Sequence, residues 1–164
     1  MAIIPLSRIV AHWAALQPAR VAIDHEGDGV TWAGLEARTN QLARAYAELG
    51  VKQDDFVTIA LPNGIEFFEA CVATWKLGAT PQPVSSRLPK HERDQIVELG
   101  KPALVVGVAQ GEYDPTPCLP EGYSPDAGLS DGPLPERMAA SFKAMTSGGS
   151  TGRPKLIVSK VPAA

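Results

Sequence analysis

A run near the C-terminal end of the chain combines a flexible backbone, hydroxyl groups and a positive charge, in the sequence TSGGSTGRPK at residues 146–155. Its glycines allow positive φ angles and a close approach to a ligand, and its Ser, Thr and Lys side chains add donors. Successive backbone amides in such a turn form a concave site for an anion. The run predicts a phosphate-binding loop with these candidate binding residues: Ser147, Gly148, Gly149, Ser150, Thr151, Gly152 and Lys155.

The residues around this loop predict a strand on each side. Pro154 before the lysine, and the apolar residues 156–158 after it, exclude a Walker A loop, in which Gly-Lys is followed by Ser or Thr and then by a helix. Pro154 also biases the preceding residue away from helical angles, so the chain should leave the loop as a strand over residues 155–159. Residues 141–145 alternate polar and apolar side chains, which predicts the strand that enters it. A flexible linker is the alternative interpretation.

The rest of the chain must position this loop. The spacing of apolar residues there predicts helices and strands that alternate along the chain. We expect helices over 7–16, 32–48, 65–77 and 89–100, and strands over 21–23, 56–61, 79–84 and 103–108. This alternation predicts the α/β class, with right-handed crossovers and a mostly parallel sheet with helices on both faces. Pro81 and Pro83 lack backbone N–H groups, so their strand should lie at an edge of the sheet.

Local signals also predict how the helices begin and which faces they bury. Ser7 and Thr31 are candidate N-caps, and Gly27-Asp28-Gly29 is a predicted turn. Helical spacing predicts two buried apolar faces, formed in the first helix by Ile9, Trp13 and Leu16 and in the third by Phe68, Val72 and Trp75.

The composition is that of a globular protein without a surface for nucleic acid. Of 164 residues, 45% are hydrophobic and 20% are charged, which excludes a disordered chain. The net charge of -3 supplies no basic footprint for a nucleic acid, and no stretch is long and apolar enough to predict a membrane span. The three histidines are far apart without metal-ligand spacing, so no metal site is predicted.

Two cysteines, Cys71 in a helical pattern and Cys118 in a Pro-rich stretch, are too few for a disulfide framework. We expect a buried Cys71 thiol and an exposed Cys118 thiol in a reducing compartment, with a disulfide between them as the alternative. The N-terminus has no charged segment ahead of a long apolar stretch, which predicts a cytoplasmic protein.

The composition divides the chain into three parts. More than one third of residues 109–135 are Pro or Gly, without periodicity, which predicts a surface connection. We therefore expect an α/β subdomain over residues 1–108, this connection, and a strand–loop–strand element over residues 136–164.

The glycine-rich run resembles the signature loop of the adenylate-forming superfamily, which comprises acyl-CoA synthetases, luciferases and the adenylation domains of peptide synthetases. The family pattern is a run of Ser, Thr and Gly closed by Thr-Gly-x-Pro-Lys. Residues 147–155 match it, except that Gly148 stands where many members have Ser or Thr. Other similar landmarks are Thr31-Trp32, Asn40-Gln41-Leu42-Ala43, Leu49-Gly50-Val51, Leu61-Pro62-Asn63 and Trp75-Lys76-Leu77-Gly78-Ala79. Among members, residues 78–84 and the loop look most similar to bile-acid-type acyl-CoA ligases.

This resemblance implies an enzyme that joins a carboxylic acid to ATP, which gives an acyl-adenylate and pyrophosphate, and that transfers the acyl group to coenzyme A. It implies that Ser147, Ser150, Thr151 and Gly152 contact phosphate oxygens, while Lys155 and Mg²⁺ offset the charge on the leaving group. In the family this loop lies early in a longer protein. We therefore expect an N-terminal part that is inactive alone, has no assigned catalytic residue, and associates with itself or with the missing C-terminal part. The alternative is a stand-alone ATP- or phosphate-binding module without catalysis.

Overall fold

The computed structural model describes residues 4–147 and 154–164. Helices and strands follow one another largely as the periodicity predicts, and two strands, β2 and β6, were not expected. In chain order the elements are α1 (Ser7–Leu16), β1 (Val21–His25), β2 (Asp28–Thr31), α2 (Trp32–Glu48), β3 (Phe56–Ile59), α3 (Ile65–Lys76), β4 (Thr80–Pro83), α4 (Lys90–Gly100), β5 (Leu104–Val106), β6 (Cys118–Leu119), β7 (Ala144–Ser147) and β8 (Lys155–Val158).

A four-stranded parallel sheet forms the centre of the fold, with the strand order β4-β3-β5-β6. The middle strand β3 pairs on one side with β4, where Thr58 is opposite Gln82, and on the other with β5, where Thr58 is opposite Val105. β4 lies at the edge of the sheet, as predicted from Pro81 and Pro83. The two prolines have no backbone N–H group to donate, so the strand that contains them can pair fully with a neighbouring strand on one side only.

Helices cover both faces of this sheet, which confirms the predicted α/β architecture. α2 and α3 pack on one face in a core that includes Tyr46, Ile59 and Leu104, each at most 1% exposed. α4 packs on the other face, where Val97 belongs to the same core cluster as Ala60 and Val105. Strands buried on both faces need apolar side chains at consecutive positions, which accounts for the uninterrupted apolar sequence of β5. No helix in the described part of the chain is long and apolar enough to cross a membrane.

The N-terminal hairpin corrects the predicted turn at Gly27-Asp28-Gly29. β1 and β2 pair antiparallel, and His25 lies opposite Asp28 across a two-residue turn. The turn residues Glu26 and Gly27 both have positive φ, 55° and 92°, and this conformation matches the twist of a tight hairpin. Asp28 therefore begins a strand, because the turn occupies the two preceding residues.

The two predicted helix caps have different outcomes. Thr31 caps α2 as predicted, since its Oγ1 accepts a hydrogen bond from the Gly34 amide at 3.1 Å. Ser7 does not cap α1, because the preceding Leu6 already has helical backbone angles and occupies the cap position. The Ser7 hydroxyl instead donates to the Arg137 carbonyl at 3.4 Å, which ties α1 to the C-terminal part of the chain.

The predicted apolar faces of α1 and α3 are wrong in part. Ile9 and Leu16 are 43% and 62% exposed, and α1 buries Val10 instead. In α3, Val72 is buried as predicted, but Phe68 is 51% exposed. α3 packs against both α2 and the sheet, so its buried surface is wider than one apolar stripe and includes polar residues.

Part of the Pro- and Gly-rich stretch at residues 109–135 belongs to the sheet. It contains β6, which pairs with β5 and buries Cys118 to 6% exposure, so the prediction of an exposed Cys118 thiol is wrong. Cys71 is buried as predicted, and both cysteines are free. Farther along, the Arg44 guanidinium of α2 donates to the Gly132 carbonyl at 2.8 Å, which holds this stretch against the helix.

Candidate functional site

β7 and β8 form a two-stranded antiparallel arm, hereafter the β7–β8 arm, on either side of the predicted phosphate loop. The pairing starts at Ala144 opposite Val158 and ends at Ser147 opposite Lys155, so two predicted binding residues face each other at the mouth of the loop. The Lys155 amide also donates to Ser147 Oγ at 3.3 Å. The prediction of a strand on each side of the loop is confirmed, with the first strand starting at Ala144 rather than at Ser141.

The other predicted binding residues, Gly148, Gly149, Ser150, Thr151 and Gly152, lie outside the described residues. Ser147 and Lys155 bracket them at the end of the arm. Ser147 is half-buried, whereas the Lys155 side chain is exposed and forms no ion pair within residues 4–147 and 154–164. Its ammonium group is therefore accessible to an anion held between the two strand ends.

Side chains of α3 and β4 attach the start of the arm to the α/β subdomain. Trp75 Nε1 donates to the Phe142 carbonyl at 2.9 Å, and Thr80 Oγ1 donates to the Ser141 carbonyl at 3.0 Å. The Ser141 hydroxyl donates to the Lys143 carbonyl at 2.9 Å. Backbone hydrogen bonds from Phe142 N–H to the Val161 carbonyl and from Ser159 N–H to the Lys143 carbonyl continue the contact between the two segments beyond β7.

A cleft of about 500 Å³ lies between the arm, the carboxyl end of β4 and the first turns of α4. Three hydroxyl residues line it, Ser85, Thr146 and Ser147, together with apolar residues such as Leu88 and Ile96. Open α/β sheets commonly bind ligands at the carboxyl ends of their strands, and this volume is within the range of small-molecule sites. The arrangement can hold a polar, anionic ligand beside the loop.

Two ionisable residues that the sequence analysis did not select, His91 and Glu92, also line this cleft from the start of α4. Both are exposed, and His91 Nε2 lies 3.8 Å from Glu92 Oε1. The Glu92 carboxylate repels phosphate, and a metal ion bound beside it would reduce that repulsion. No local pattern pairs α4 with the arm, so only the packing of the chain reveals these two residues.

The described part of the chain contains no group of three or more His, Cys, Asp or Glu side chains placed to hold a metal ion. Mg²⁺ is usually held by one or two carboxylates together with substrate phosphates and water rather than by an all-protein cage. A magnesium ion that enters with the phosphates of a nucleotide is therefore compatible with the cleft.

Sequence comparison identifies relatives that share this region. A family model described as AMP-binding enzyme matches residues 10–162. The isonitrile lipopeptide synthase of Streptomyces coeruleorubidus is 30% identical over 162 residues, which cover 92% of this chain and 11% of that protein. Pyochelin synthase PchD of Pseudomonas aeruginosa is 28% identical over 168 residues, covering 88% of this chain and 30% of PchD. The 3-oxocholest-4-en-26-oate–CoA ligase of Rhodococcus rhodochrous is 38% identical over 93 residues, which cover 57% of this chain and 17% of the ligase.

Solved structures share the fold at low sequence identity. The inhibitor-bound N-terminal domain of FACL13 from Mycobacterium tuberculosis superposes with a TM-score of 0.80 at 21% identity, covering 98% of this chain and 45% of that one. The NpsA N-terminal subdomain of Klebsiella oxytoca superposes with a TM-score of 0.76 at 18% identity, covering 96% of this chain and 42% of that one. These likenesses concern the fold alone.

The family match extends over the α/β subdomain, the connection and the β7–β8 arm. The chain spans 11% to 30% of the length of the three curated relatives named above. Its relatives include both peptide synthetases and a CoA ligase. The chain therefore belongs to the AMP-binding enzyme family, which is the adenylate-forming superfamily that its glycine-rich run resembles.

Proposed function

We propose that this chain is the phosphate-binding, N-terminal part of an AMP-forming acid–thiol ligase. In the proposed reaction a carboxylate oxygen bonds to the α-phosphorus of ATP as pyrophosphate leaves, and the acyl group of the resulting adenylate then passes to the thiol of coenzyme A. The observation that supports this proposal most directly is the pairing of Ser147 with Lys155 at the end of an anchored arm.

The chemistry of the first step requires stabilisation of the leaving pyrophosphate. Negative charge develops on the β- and γ-phosphates as the bond to the α-phosphorus breaks, so fixed donors and cations lower the barrier. In this proposal the Ser147 hydroxyl donates to a phosphate oxygen and the Lys155 ammonium offsets the charge. Residues 148–152 would complete the cradle with backbone amides, and Mg²⁺ bound to the phosphates would share the charge.

Calorimetric titration of Mg-ATP into the chain tests the role of Lys155. We expect Lys155→Ala to weaken binding by about 1–3 kcal/mol, the range for a lost charge-assisted hydrogen bond. Lys160→Ala is the matched control, because Lys160 is an exposed lysine just after β8 and its removal changes the net charge equally. Equal affinities for all three proteins, or no binding by the unmodified chain, would contradict a phosphate site at the end of the arm.

A second candidate function is the adenylation domain of a peptide synthetase. The observation that favours it is the extent of the matches, since two synthase relatives cover 92% and 88% of this chain while the CoA ligase covers 57%. The two candidates differ in the acceptor. The test uses a longer protein that also contains the remainder of the family fold. If it is an acid–thiol ligase, it should form an acyl-CoA thioester when the acid is supplied. If it is an adenylation domain, it should catalyse acid-dependent ATP–pyrophosphate exchange without consuming coenzyme A.

The stand-alone binding module, without catalysis, makes a different prediction. It binds Mg-ATP in the titration but gives no carboxylate-dependent exchange under any of these conditions. This outcome would retain the phosphate site and remove the ligase activity from the proposal.

The surface of the β7–β8 arm supports a proposal about the partner. Its apolar residues Met145 and Ile157 lie opposite each other across the arm and are 45% and 57% exposed, which is unusual for adjacent apolar side chains. We propose that the C-terminal part of a longer family protein packs on this surface. Sedimentation of the chain with and without that part tests the pairing. Self-association through the same residues would contradict it, and so would a stable monomer that does not bind the C-terminal part.

A further inference from the structure

A second cavity, of about 280 Å³, lies on the side of the sheet covered by α2 and α3, and it shares no lining residue with the cleft at the arm. Leu61 and Val106, at the carboxyl ends of β3 and β5, contribute to its floor, and Tyr123 and Pro125 line it from the connection. β3 leads to β4 on one side of the sheet and β5 leads to β6 on the other. Strand connections that diverge in this way create a crevice, which is the usual ligand position in open α/β sheets.

Two buried polar side chains line this cavity, Tyr46 at 1% exposure and Glu69 at 4%. Glu69 Oε1 is in ionic contact with Arg38, but it accepts no hydrogen bond of suitable geometry from the residues that the structure describes. Buried polar atoms are normally hydrogen-bonded. A ligand donor in the cavity would satisfy this oxygen.

Two carboxylates from successive turns of α3 give the cavity a negative charge. Glu69 pairs with Arg38, whose Nε lies 2.8 Å from Glu69 Oε1, and Glu66 Oε1 accepts a hydrogen bond from the Gly122 amide at 2.9 Å. Burial raises the pKa of both carboxyl groups, and the charge of Glu66 adds to the rise at Glu69. Two carboxylates against one guanidinium leave one negative charge unbalanced.

We propose that this cavity binds a small primary amine, with the ammonium group held by the oxygens of Glu66, Glu69 and Tyr46 and the hydrocarbon part resting on the apolar floor. An ammonium group has three N–H donors, which matches the three oxygen acceptors. Its positive charge also balances the unpaired carboxylate. The site is separate from the proposed phosphate loop, so the two proposals stand or fall independently.

The other ligand classes fit the lining less well. An anion would meet the unbalanced carboxylate, and like charges repel. A metal ion would lack ligands, since the described residues include no group of three acidic, His or Cys side chains suited to one. The apolar wall formed by residues such as Leu42, Leu61 and Ala70 favours an amine with a short hydrocarbon body.

An NMR titration of the chain with 2-phenylethylamine tests the proposal, and 2-phenylethanol is the neutral ligand of similar shape. We expect saturable shifts of the Tyr46, Glu69 and Tyr123 amides with the amine, and about tenfold weaker binding of the alcohol because it cannot form the charge-assisted contacts. Equal affinity of the two ligands, shifts confined to other residues, or no saturable shifts would overturn the proposal. This comparison uses only the unmodified chain, so it does not depend on any variant folding.

Two variants sharpen the assignment. Glu66→Gln retains the acceptor for the Gly122 amide and removes the charge, so we expect about tenfold weaker amine binding. Glu48→Gln makes the same charge change at an exposed position at the end of α2 and should leave the affinity unchanged. Equal weakening by both variants would indicate general electrostatic attraction and overturn the assignment of the site to this cavity.

Discussion

The position immediately after β5 tests whether the contact between β3 and β5 needs a glycine. Gly107 has a φ of +89°, a conformation that side chains rarely adopt. A Cβ atom added there would lie 2.6 Å from the Ala60 carbonyl oxygen and 2.9 Å from the Leu61 amide nitrogen. Both are backbone atoms and cannot rotate away, so an alanine must push β5 from β3 or distort the end of β3.

The cost of Gly107→Ala has two parts. The left-handed backbone angle costs about 1–2 kcal/mol for a residue with a Cβ atom, and overpacking against fixed neighbours adds about 1–3 kcal/mol. We therefore expect a loss of about 2–5 kcal/mol, which is a large share of the 5–15 kcal/mol typical of a folded domain. Gly50→Ala is the matched control. Gly50 has a similar φ of +99° but no atom within 4 Å of an added Cβ, so it should lose about 1–2 kcal/mol only.

Urea unfolding followed by tryptophan fluorescence measures both variants under the same conditions. The difference between their free energies of unfolding isolates the steric contribution, because the backbone term is common to both. Equal destabilisation of the two variants would refute the reasoning, since it would mean that the sheet accommodates the methyl group at Gly107 without strain. A loss at Gly50 that exceeded the loss at Gly107 would refute it more strongly.

Two further predictions concern buried polar groups. Lys76, at 5% exposure, donates to Glu36 at 2.7 Å, so Lys76→Met should cost about 3 kcal/mol in urea unfolding by leaving that carboxylate unpaired. Adding Glu36→Gln should recover about half of that loss, and no recovery would argue against a charge effect. Burial raises the pKa of the Cys71 thiol to about 12, and burial also raises that of Cys118. A thiol reagent at pH 8 should therefore label both cysteines slowly in the native chain and rapidly in denaturant. Rapid native labelling of either one would contradict its buried position.

Much of the secondary structure could be predicted because its signals are local. The Thr31 cap, the glycine that follows α2 and the prolines of β4 each act through atoms only a few residues away. The same is true of the loop motif, in which a proline directs residues 155–158 into a strand. These features depend on covalent geometry and short hydrogen bonds, which the sequence states directly.

Predictions that depended on contacts between residues far apart in the chain were less successful. Ser7 bonds to Arg137 rather than capping its own helix, and α3 buries Glu69, which pairs with Arg38, while it leaves Phe68 exposed. Cys118 is buried because β6 joins the sheet, although the stretch around it has no strand periodicity. In each case the deciding contact joins residues far apart in the chain, and no local pattern encodes it.

The candidate site also combines features that the sequence predicts with features that only the tertiary structure shows. The sequence alone determined that a Gly-, Ser- and Thr-rich run followed by Pro-Lys is suited to phosphate, because backbone freedom, hydroxyl donors and charge are properties of the residues themselves. The tertiary structure decided that Ser147 lies opposite Lys155, that α4 brings Glu92 to the same cleft, and that Tyr46 faces a separate cavity with two carboxylates. These placements depend on which surfaces pack together, and packing is a property of the whole chain rather than of any segment.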